Sequence, residues 1–250
     1  MIRYTFCEIC AIFIKENGGF IMKIYFVRHG HPDYKNDCLT ELGHKQAEAA
    51  AERLKDSGIE RIFSSSNGRA LQTAKHTAKR LGLEVISCDF MREIRWNSMD
   101  NEPILANGHP WDIATIHASE GKSLLDSDWR ANYPYCRSKV VECVETVTLG
   151  FDAWLEELGY KREGEYYRVT GEDTGKTVAM FSHGGASSAA LSHMFNIPFP
   201  QFCGAFHIDY TSITVVQLSN KTGDLIYPQI LLFDDAKHIE GIAEENVYGN

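Results

Sequence analysis

The sequence predicts a three-layer α/β/α fold with a mainly parallel central sheet. Short apolar runs that are typical of buried strands alternate along the chain with segments whose apolar residues recur at helical spacing. Two of these runs end in the same way, in a His-Gly pair at His29-Gly30 and at His183-Gly184. Alternating strands and helices are typical of a parallel sheet covered on both faces. Hydrophobic residues make up 44% of the 250 residues, which is enough for a buried core.

The first half of the chain contains three predicted strands and two predicted helices. The apolar run Met22–Val27 is the first strand, and the polar segment Asp33–Asp37 follows it as a loop. A helix begins near Thr40, which suits the N-cap position, and ends before Gly58. The next elements are a strand over Ile59–Ser64, a helix over Asn67–Leu81 that ends at Gly82, and a strand over Leu83–Ile86.

The second half contains an irregular segment followed by regular elements. Asp89–Pro134 lacks clear periodicity, and we interpret it as an insertion. Tryptophans in such a segment are more often packed in a small core than used as a platform for substrate, so we favour a small core here. Those tryptophans are Trp96, Trp111 and Trp129. The predicted elements that follow are a helix over Ser138–Leu158, a loop or hairpin around Tyr166–Val169, a strand over Thr177–Phe181, a helix over Ala186–Phe195, and strands over Thr211–Leu218 and Leu225–Phe233.

We expect one domain over residues 22–235, with the insertion at about 94–136 and a tail over 236–250. Met22 begins the first strand, so residues 1–21 are interpreted as an upstream extension, and a protein begun at Met22 is expected to fold and stay active. A signal peptide is the weaker interpretation, because Arg3 and Glu8 interrupt the hydrophobic start. No apolar run approaches the roughly 20 residues that span a bilayer.

Charge and cysteine content narrow the classes of partner. A net charge of −9 disfavours binding to nucleic acid or to an anionic membrane, so an anionic substrate needs a locally basic pocket. The seven scattered cysteines favour a reducing cytoplasm over a disulfide framework. Cys7 and Cys10 form a lone C-x-x-C for which no metal or redox role is expected. We expect neither a metal nor a cofactor, because no zinc-type ligand set or tight acidic cluster is evident. The oligomeric state stays open.

The two His-Gly junctions indicate a ligand site. In open α/β sheets, ligands bind beyond the carboxyl ends of the strands, where His29 and His183 are expected to lie. Gly30 and Gly184 permit close backbone approach, and a helix that starts after Gly185 directs free N–H groups at an anion. A single such histidine is more often a core or surface residue, but a matched pair favours a site.

Two arginines are suited to binding a phosphate, although Arg69 taken alone would more often be a solvated helix residue. Arg28 adjoins His29, and Arg69 lies near the start of the second helix. A guanidinium group binds phosphate oxygens in bidentate fashion, which a lysine cannot do.

Four segments resemble the signatures of the histidine phosphatase superfamily, which includes cofactor-dependent phosphoglycerate mutases and many small-molecule phosphatases. The resemblance spans about Met22–Leu218 and implies a phosphoglycerate mutase-like fold with an insertion that caps the active site. The segments are Arg28-His29-Gly30, the run from Ser64 to Ala74 that contains Arg69, Arg92-Glu93-Ile94, and Ser182-His183-Gly184-Gly185.

The resemblance implies a covalent mechanism without metal or cofactor. His29 would attack phosphorus and form a phosphohistidine that water hydrolyses. Arg28, Arg69, His183 and Gly184 would hold the phosphate oxygens. Glu93 would protonate the leaving group from a raised pKa and then serve as base for water. The implied substrate is a small phosphorylated metabolite, and hydrolysis is the favoured reaction.

The sequence departs from the family pattern after the first and third motifs. His31-Pro32 follows the first motif, and His31 is either a pocket contact or an exposed loop residue. The usual Gly and Trp-Glu-Gly are missing after Ile94, so Asp100 and Glu102 stay open as alternative proton donors.

Two other functions stay open. One is a phosphoglycerate mutase-type phosphotransferase, although Asp33–Asp37 lacks the sugar-phosphate signature expected of those mutases. The other is a non-catalytic phosphate-binding module. Substrate specificity is expected to reside in Asp89–Pro134.

Overall fold

A six-stranded sheet forms the centre of the computed structural model, which describes residues 21–97, 112–123, 128–171 and 176–242. The strands of this sheet are β1 (Ile21–Arg28), β4 (Ile59–Ser65), β5 (Val85–Cys88), β8 (Thr177–Ser182), β9 (Ile213–Ser219) and β11 (Gln229–Asp235). Their order is β11-β9-β1-β8-β4-β5. The pairs β1–β8, β8–β4 and β4–β5 are parallel, and β9 is antiparallel to both of its neighbours.

Six α-helices, five short strands and four single-turn 3-10 helices (Asp89–Met91, Trp129–Ala131, Tyr135–Arg137 and Lys237–Ile239) complete the described elements. The helices are α1 (Glu41–Leu54), α2 (Gly68–Leu81), α3 (Asp112–Ser119), α4 (Val140–Glu157), α5 (Gly184–Met194) and α6 (Phe199–Ala205). The short strands are β2 (Pro32–Asp33), β3 (Cys38–Leu39), β6 (Tyr160–Glu163), β7 (Tyr166–Val169) and β10 (Leu225–Ile226). Three of them form a small sheet in the order β10-β7-β6, and β2 pairs with β3.

Side chains of the central strands alternate between two cores. In β1, Ile24 and Phe26 pack into the core formed with α4, α5 and α6. Val27 packs into a second core, which contains Leu54 of α1 and Ala74 of α2. Because successive strand residues point to opposite faces, this alternation places helices on both sides of the sheet. The predicted three-layer α/β/α class is confirmed.

Several predicted boundaries differ from the structure. The predicted strand over Leu83–Ile86 begins instead at Val85, because the Leu83 amide donates to the Ala78 carbonyl and closes the C-terminus of α2. The predicted single strand over Leu225–Phe233 is wrong, since Leu225–Ile226 pairs with β7 and only the residues after Pro228 join β9. Proline lacks the amide donor that a continuous ladder needs.

Other elements match the prediction more closely. Thr40 caps α1 as expected, with its hydroxyl accepting from the Gly43 amide. Helix α5 starts at Gly184, two residues before the predicted start, and helix α6 was not predicted. Strand β1 begins at Ile21, where it pairs with Ser219, so the first strand includes one residue of the predicted extension.

The predicted insertion is described only in part. Trp129 is buried in the core with Tyr135, whose ring centroid lies 5.1 Å away, and Trp96 stacks on Phe199 at 5.7 Å. Trp111 lies outside the described residues, and capping of the site by this segment stays a prediction. Within the described ranges, no helix is long and apolar enough to cross a bilayer. The cysteines of these ranges are free thiols: Cys38, Cys88, Cys136, Cys143 and Cys203.

Candidate active site

The two predicted histidines meet at one edge of the sheet. Strands β1 and β8 are parallel neighbours that end together, with Arg28 opposite Ser182, so the residues that follow them are adjacent. The His29 amide donates to the Ser182 carbonyl at 2.9 Å, and the ring centroids of His29 and His183 are 5.1 Å apart. The Gly30 amide donates to the Thr73 hydroxyl at 3.1 Å, which fixes the turn after His29 against α2.

The hydrogen bonds of His29 determine its tautomer. Its Nδ1 lies 2.7 Å from the Gly30 carbonyl oxygen, which can only accept. Arg69 Nε, which can only donate, lies 3.2 Å from His29 Nε2. The proton therefore sits on Nδ1, and Nε2 keeps its lone pair. Burial, followed by the charges of Arg28 and Arg69, lowers the pKa of His29 well below its usual value, so the ring is neutral at pH 7.

Both predicted arginines lie beside this ring. Arg69 is 7% exposed, and its Nη1 donates to Asp37 Oδ1 at 2.5 Å. Arg28 donates from Nη1 to the Ile208 carbonyl at 2.5 Å, and its Nε is buried without a partner among the described residues. These guanidinium groups create the basic pocket that an anionic substrate needs in a protein of net charge −9.

Asp37 is a site residue that the sequence analysis missed. Its Oδ2 accepts from the Gly68 amide at 2.8 Å and from Asn67 Nδ2 at 3.2 Å, so it caps α2 while its other oxygen holds Arg69. Burial raises the pKa of this carboxyl, but the hydrogen bonds from Gly68, Asn67 and Arg69 outweigh burial, and the pKa is lowered. No local pattern marks Asp37, because its partners lie about 30 positions away in the sequence.

His183 is completely buried and is oriented by Ser65, a second residue that was not singled out. His183 Nε2 lies 2.8 Å from the Ser65 hydroxyl, while Nδ1 is buried without a partner among the described residues. Burial, followed by His29, Arg69 and Arg28, lowers the pKa of His183 well below its usual value. Gly184 follows as the first residue of α5, and a Cβ built there would lie 3.7 Å from Arg28 Cζ, an ordinary contact.

Glu93 joins the histidines from the loop after β5. Its Oε1 accepts from the Ile94 amide at 2.9 Å and from the Ala186 amide of α5 at 3.1 Å, which leaves Oε2 free of those bonds. Burial raises the pKa of Glu93, and the two amides and the nearby arginines oppose this effect without cancelling it. A Cβ at Gly185 would lie 2.7 Å from Oε1, so only glycine allows this approach.

Two tyrosines border the site and were also missed. Arg28 Cζ lies 4.1 Å from the ring centroid of Tyr210, and that ring is 5.7 Å from His29. Burial raises the pKa of Tyr210 to about 12, and its hydroxyl bonds to Tyr34, whose ring lies 5.4 Å from Arg69 Cζ. Tyr210 lies three residues before β9. Because β9 is antiparallel to β1, the segment that leads into β9 lies where β1 ends, and this position can be recognised only once the strand directions are known.

The sequence left open the role of His31 and the identity of the proton donor, and it predicted a site without a metal ion. His31 is half-buried: its Nδ1 lies 2.9 Å from the Thr40 hydroxyl, and its ring centroid lies 5.6 Å from that of Tyr210, so the residue contacts the border of the site and also ties the loop to the start of α1. Asp100 and Glu102 lie outside the described residues. His29, Glu93 and His183 have ligand atoms within 4.8 Å of one another, a spacing that could hold a metal ion. The adjacent guanidinium charges favour an anion over a cation there, and metal independence stays a prediction.

Known proteins resemble this chain in sequence and in fold. A probable phosphoglycerate mutase (GpmB) of Yersinia pestis is 29% identical to this chain over 120 residues, which are 43% of this chain and 56% of that protein. The chain therefore spans about half the length of the curated relatives it matches.

Solved structures match over more of the chain. The native mycobacterial glucosyl-3-phosphoglycerate phosphatase has a TM-score of 0.59 at 22% identity, covering 86% of this chain and 99% of that one. A mutant phosphoserine phosphatase from Entamoeba histolytica, in complex with phosphoserine, has a TM-score of 0.56 at 19% identity, covering 87% and 99%. At these identities the likeness shows a shared fold. The family profile of the histidine phosphatase superfamily, branch 1, matches residues 24–228, and the chain belongs to that superfamily.

Proposed function

We propose that this protein is a metal-independent phosphatase that hydrolyses phosphate monoesters of small metabolites through a phosphohistidine on His29. The observation that carries the proposal is the neutral His29 ring, whose Nε2 lone pair faces the Arg69 guanidinium at 3.2 Å. An unprotonated nitrogen surrounded by cationic donors can attack phosphorus while those donors bind the phosphate oxygens.

In the first step, Nε2 of His29 forms a bond to phosphorus as the bond between phosphorus and the ester oxygen breaks. The arginines supply N–H donors to the oxygens, where negative charge is concentrated. The Ser65 hydroxyl can donate to Nε2 of His183, and the unpaired Nδ1 then carries the proton that a phosphate oxygen accepts. Gly184, at the first turn of α5, adds the helix N-terminus to the phosphate pocket.

Glu93 acts as the general acid in the first step and as the general base in the second. Burial raises its pKa, which favours the protonated carboxyl group, and Oε2 is the oxygen that the backbone amides leave free. That proton passes to the departing ester oxygen. The resulting carboxylate then accepts a proton from water, which attacks phosphorus and breaks the bond between phosphorus and nitrogen.

A phosphoglycerate mutase-type transfer is the second candidate, because the probable mutase of Yersinia pestis is 29% identical over 120 residues. It uses the same His29 but passes the phosphoryl group to a second hydroxyl instead of water. A mutase would require a bisphosphorylated primer and would release little free phosphate. A non-catalytic phosphate-binding module is disfavoured, because such a module needs neither a neutral nucleophile nor a proton donor beside it.

The test is phosphate release from para-nitrophenyl phosphate in the presence of EDTA, with wild type compared with His29→Ala. We expect the wild-type activity to survive EDTA and to disappear in the variant. Activity that is lost in EDTA, or that persists without His29, would contradict the proposal. Little turnover of this ester together with primer-dependent transfer would favour the mutase.

A further inference from the structure

A cavity of about 530 Å³ borders Glu93 on the side of helix α4. It is lined by the loop after β5, by Asn67 at the start of α2, and by the α4 face that contains Glu142 and Thr146. In the proposed mechanism the ester oxygen must lie beside Glu93 to receive its proton. The organic part of the substrate therefore continues from Glu93, and this cavity offers space beside that residue.

Charged side chains of both signs line the cavity. Arg92 and Arg95 are exposed, and within the described ranges neither side chain has an ion-pair or hydrogen-bond partner. Asp89 and Glu142 are also exposed along the same lining. The Arg92 charge contributes to the lowered pKa of His183, after burial, His29, Arg69 and Arg28, so its field reaches the phosphate pocket.

The positive and negative side chains of the lining together determine which charged groups of a ligand the cavity favours. A second anionic group alone would gain from the arginines but would be repelled by Glu142 and Asp89. A group that carries only an ammonium would be attracted by Glu142 and Asp89 but repelled by the arginines. A zwitterionic group gains from both sets of charges, because carboxylate and guanidinium form charge-assisted hydrogen bonds and ammonium pairs with carboxylate.

We propose that this cavity binds the organic part of an amino-acid phosphate ester, with the carboxylate held by Arg92 and Arg95 and the ammonium facing Glu142. The assignment rests on the proposed phosphatase function, which places the ester oxygen at Glu93. It names the substrate class and three specificity residues at that same site.

Four phosphate esters separate the contribution of each charge. Phosphoserine carries both groups, 3-phosphoglycerate lacks the ammonium, phosphoethanolamine lacks the carboxylate, and glycerol 3-phosphate lacks both. We expect kcat/KM of the wild type to be highest for phosphoserine, by about tenfold over each ester that lacks one group, the size of one charge-assisted hydrogen bond.

Charge-removing variants test the assignment residue by residue. Arg92→Gln and Arg95→Gln should reduce the preference for phosphoserine over phosphoethanolamine, and Glu142→Gln should reduce the preference for phosphoserine over 3-phosphoglycerate. Ratios within one variant cancel a general loss of activity. Arg80→Gln is the matched control: this exposed arginine pairs with Glu52 at the far end of α2 and should leave both ratios unchanged.

Failure of the subsite is distinct from failure of the proposed function. Wild type that hydrolyses para-nitrophenyl phosphate but shows no preference for phosphoserine, or variants whose ratios match those of wild type, would overturn the subsite alone. Wild type without phosphatase activity would overturn the proposed function. In that case calorimetric binding of the same four esters decides the subsite: tightest binding of phosphoserine supports it, and equal binding refutes it.

Discussion

Replacement of Glu93 by glutamine should damage hydrolysis in a way that depends on the leaving group. Oε1 of the carboxyl group accepts hydrogen bonds from the Ile94 amide at 2.9 Å and from the Ala186 amide at 3.1 Å, and Oε2 takes part in neither. The amide oxygen of a glutamine can accept the same two bonds, so the side chain stays in place. What the substitution removes is the transferable proton on Oε2.

The expected magnitude follows from the chemistry of the departing oxygen. An alkoxide is a poor leaving group, so an alkyl phosphate needs the proton, and its kcat/KM should fall about 10²- to 10⁴-fold in Glu93→Gln, the usual range for general acid catalysis. Nitrophenolate leaves as an anion, so formation of the phosphoenzyme from para-nitrophenyl phosphate should fall by less than about tenfold. Attack of water on the phosphohistidine loses its base, and this second step becomes rate-limiting.

Rapid mixing of Glu93→Gln with para-nitrophenyl phosphate should therefore give a burst of nitrophenolate equal to the enzyme concentration, followed by slow turnover. Glu48→Gln, which neutralises an exposed carboxylate on α1, is the control and should resemble wild type for both esters. Equal losses for alkyl and nitrophenyl esters, or unchanged alkyl ester hydrolysis, would refute the assignment. The proton would then come from another acid, for which Asp100 and Glu102 are the alternatives.

Three further perturbations test how the site is held together. Gly185→Ala places a Cβ 2.7 Å from Oε1 of Glu93, and displacement of that carboxyl should reduce kcat/KM for alkyl esters about tenfold to a hundredfold, measured against a glycerol phosphate ester. Asp37→Ala removes the partner of Arg69 and the cap of α2, so KM for the phosphate ester should rise and the melting temperature should fall, as thermal unfolding would show. The two site histidines have folded pKa values below the ordinary 6.5, so their contribution to stability is present above pH 6.5 and is lost as the pH falls, by up to roughly 1.4 kcal/mol per pH unit for each. Urea unfolding between neutral pH and about pH 5 should show this loss, and a shallower dependence is expected for His29→Ala; an identical dependence would mean that His29 has the same pKa in the folded and unfolded protein, which would contradict the lowered value.

The fold could be predicted because its determinants are local in sequence. The alternation of apolar runs and helical stripes follows from the two packing periods, and the core positions of β1 and α2 obey them. The prediction of strands failed where long-range pairing determines which sheet a segment joins. Leu225–Ile226 has the composition of a strand continuous with β11, yet it pairs with β7, and nothing before Pro228 shows that the chain changes sheets.

The same distinction between local and long-range determinants separates the site residues that could be predicted from those that could not. Arg28, His29 and His183 lie at strand ends, a position that sequence periodicity locates, and Arg69 follows at the start of a helix. The supporting residues Asp37, Ser65 and Tyr210 act through contacts with residues far away in the sequence, so no spacing rule selects them. The sequence pattern therefore located the residues that we propose to react, but it could not locate the residues that orient them.

Burial explains how one pocket can hold a neutral base and a protonated acid at the same pH. Desolvation penalises whichever form carries charge, so it lowers the pKa of His29 and raises the pKa of Glu93. The guanidinium charges reinforce the first shift and oppose the second, which leaves burial as the factor that raises the pKa of Glu93. Solvent exposure of the pocket would relax both shifts together, which favours a charged imidazole at low pH and an ionised carboxyl group at higher pH; the proposed nucleophile and the proposed proton donor would both be lost. The close approach at Gly185 and the buried environment of His183 are therefore as important to the chemistry as the reacting atoms themselves.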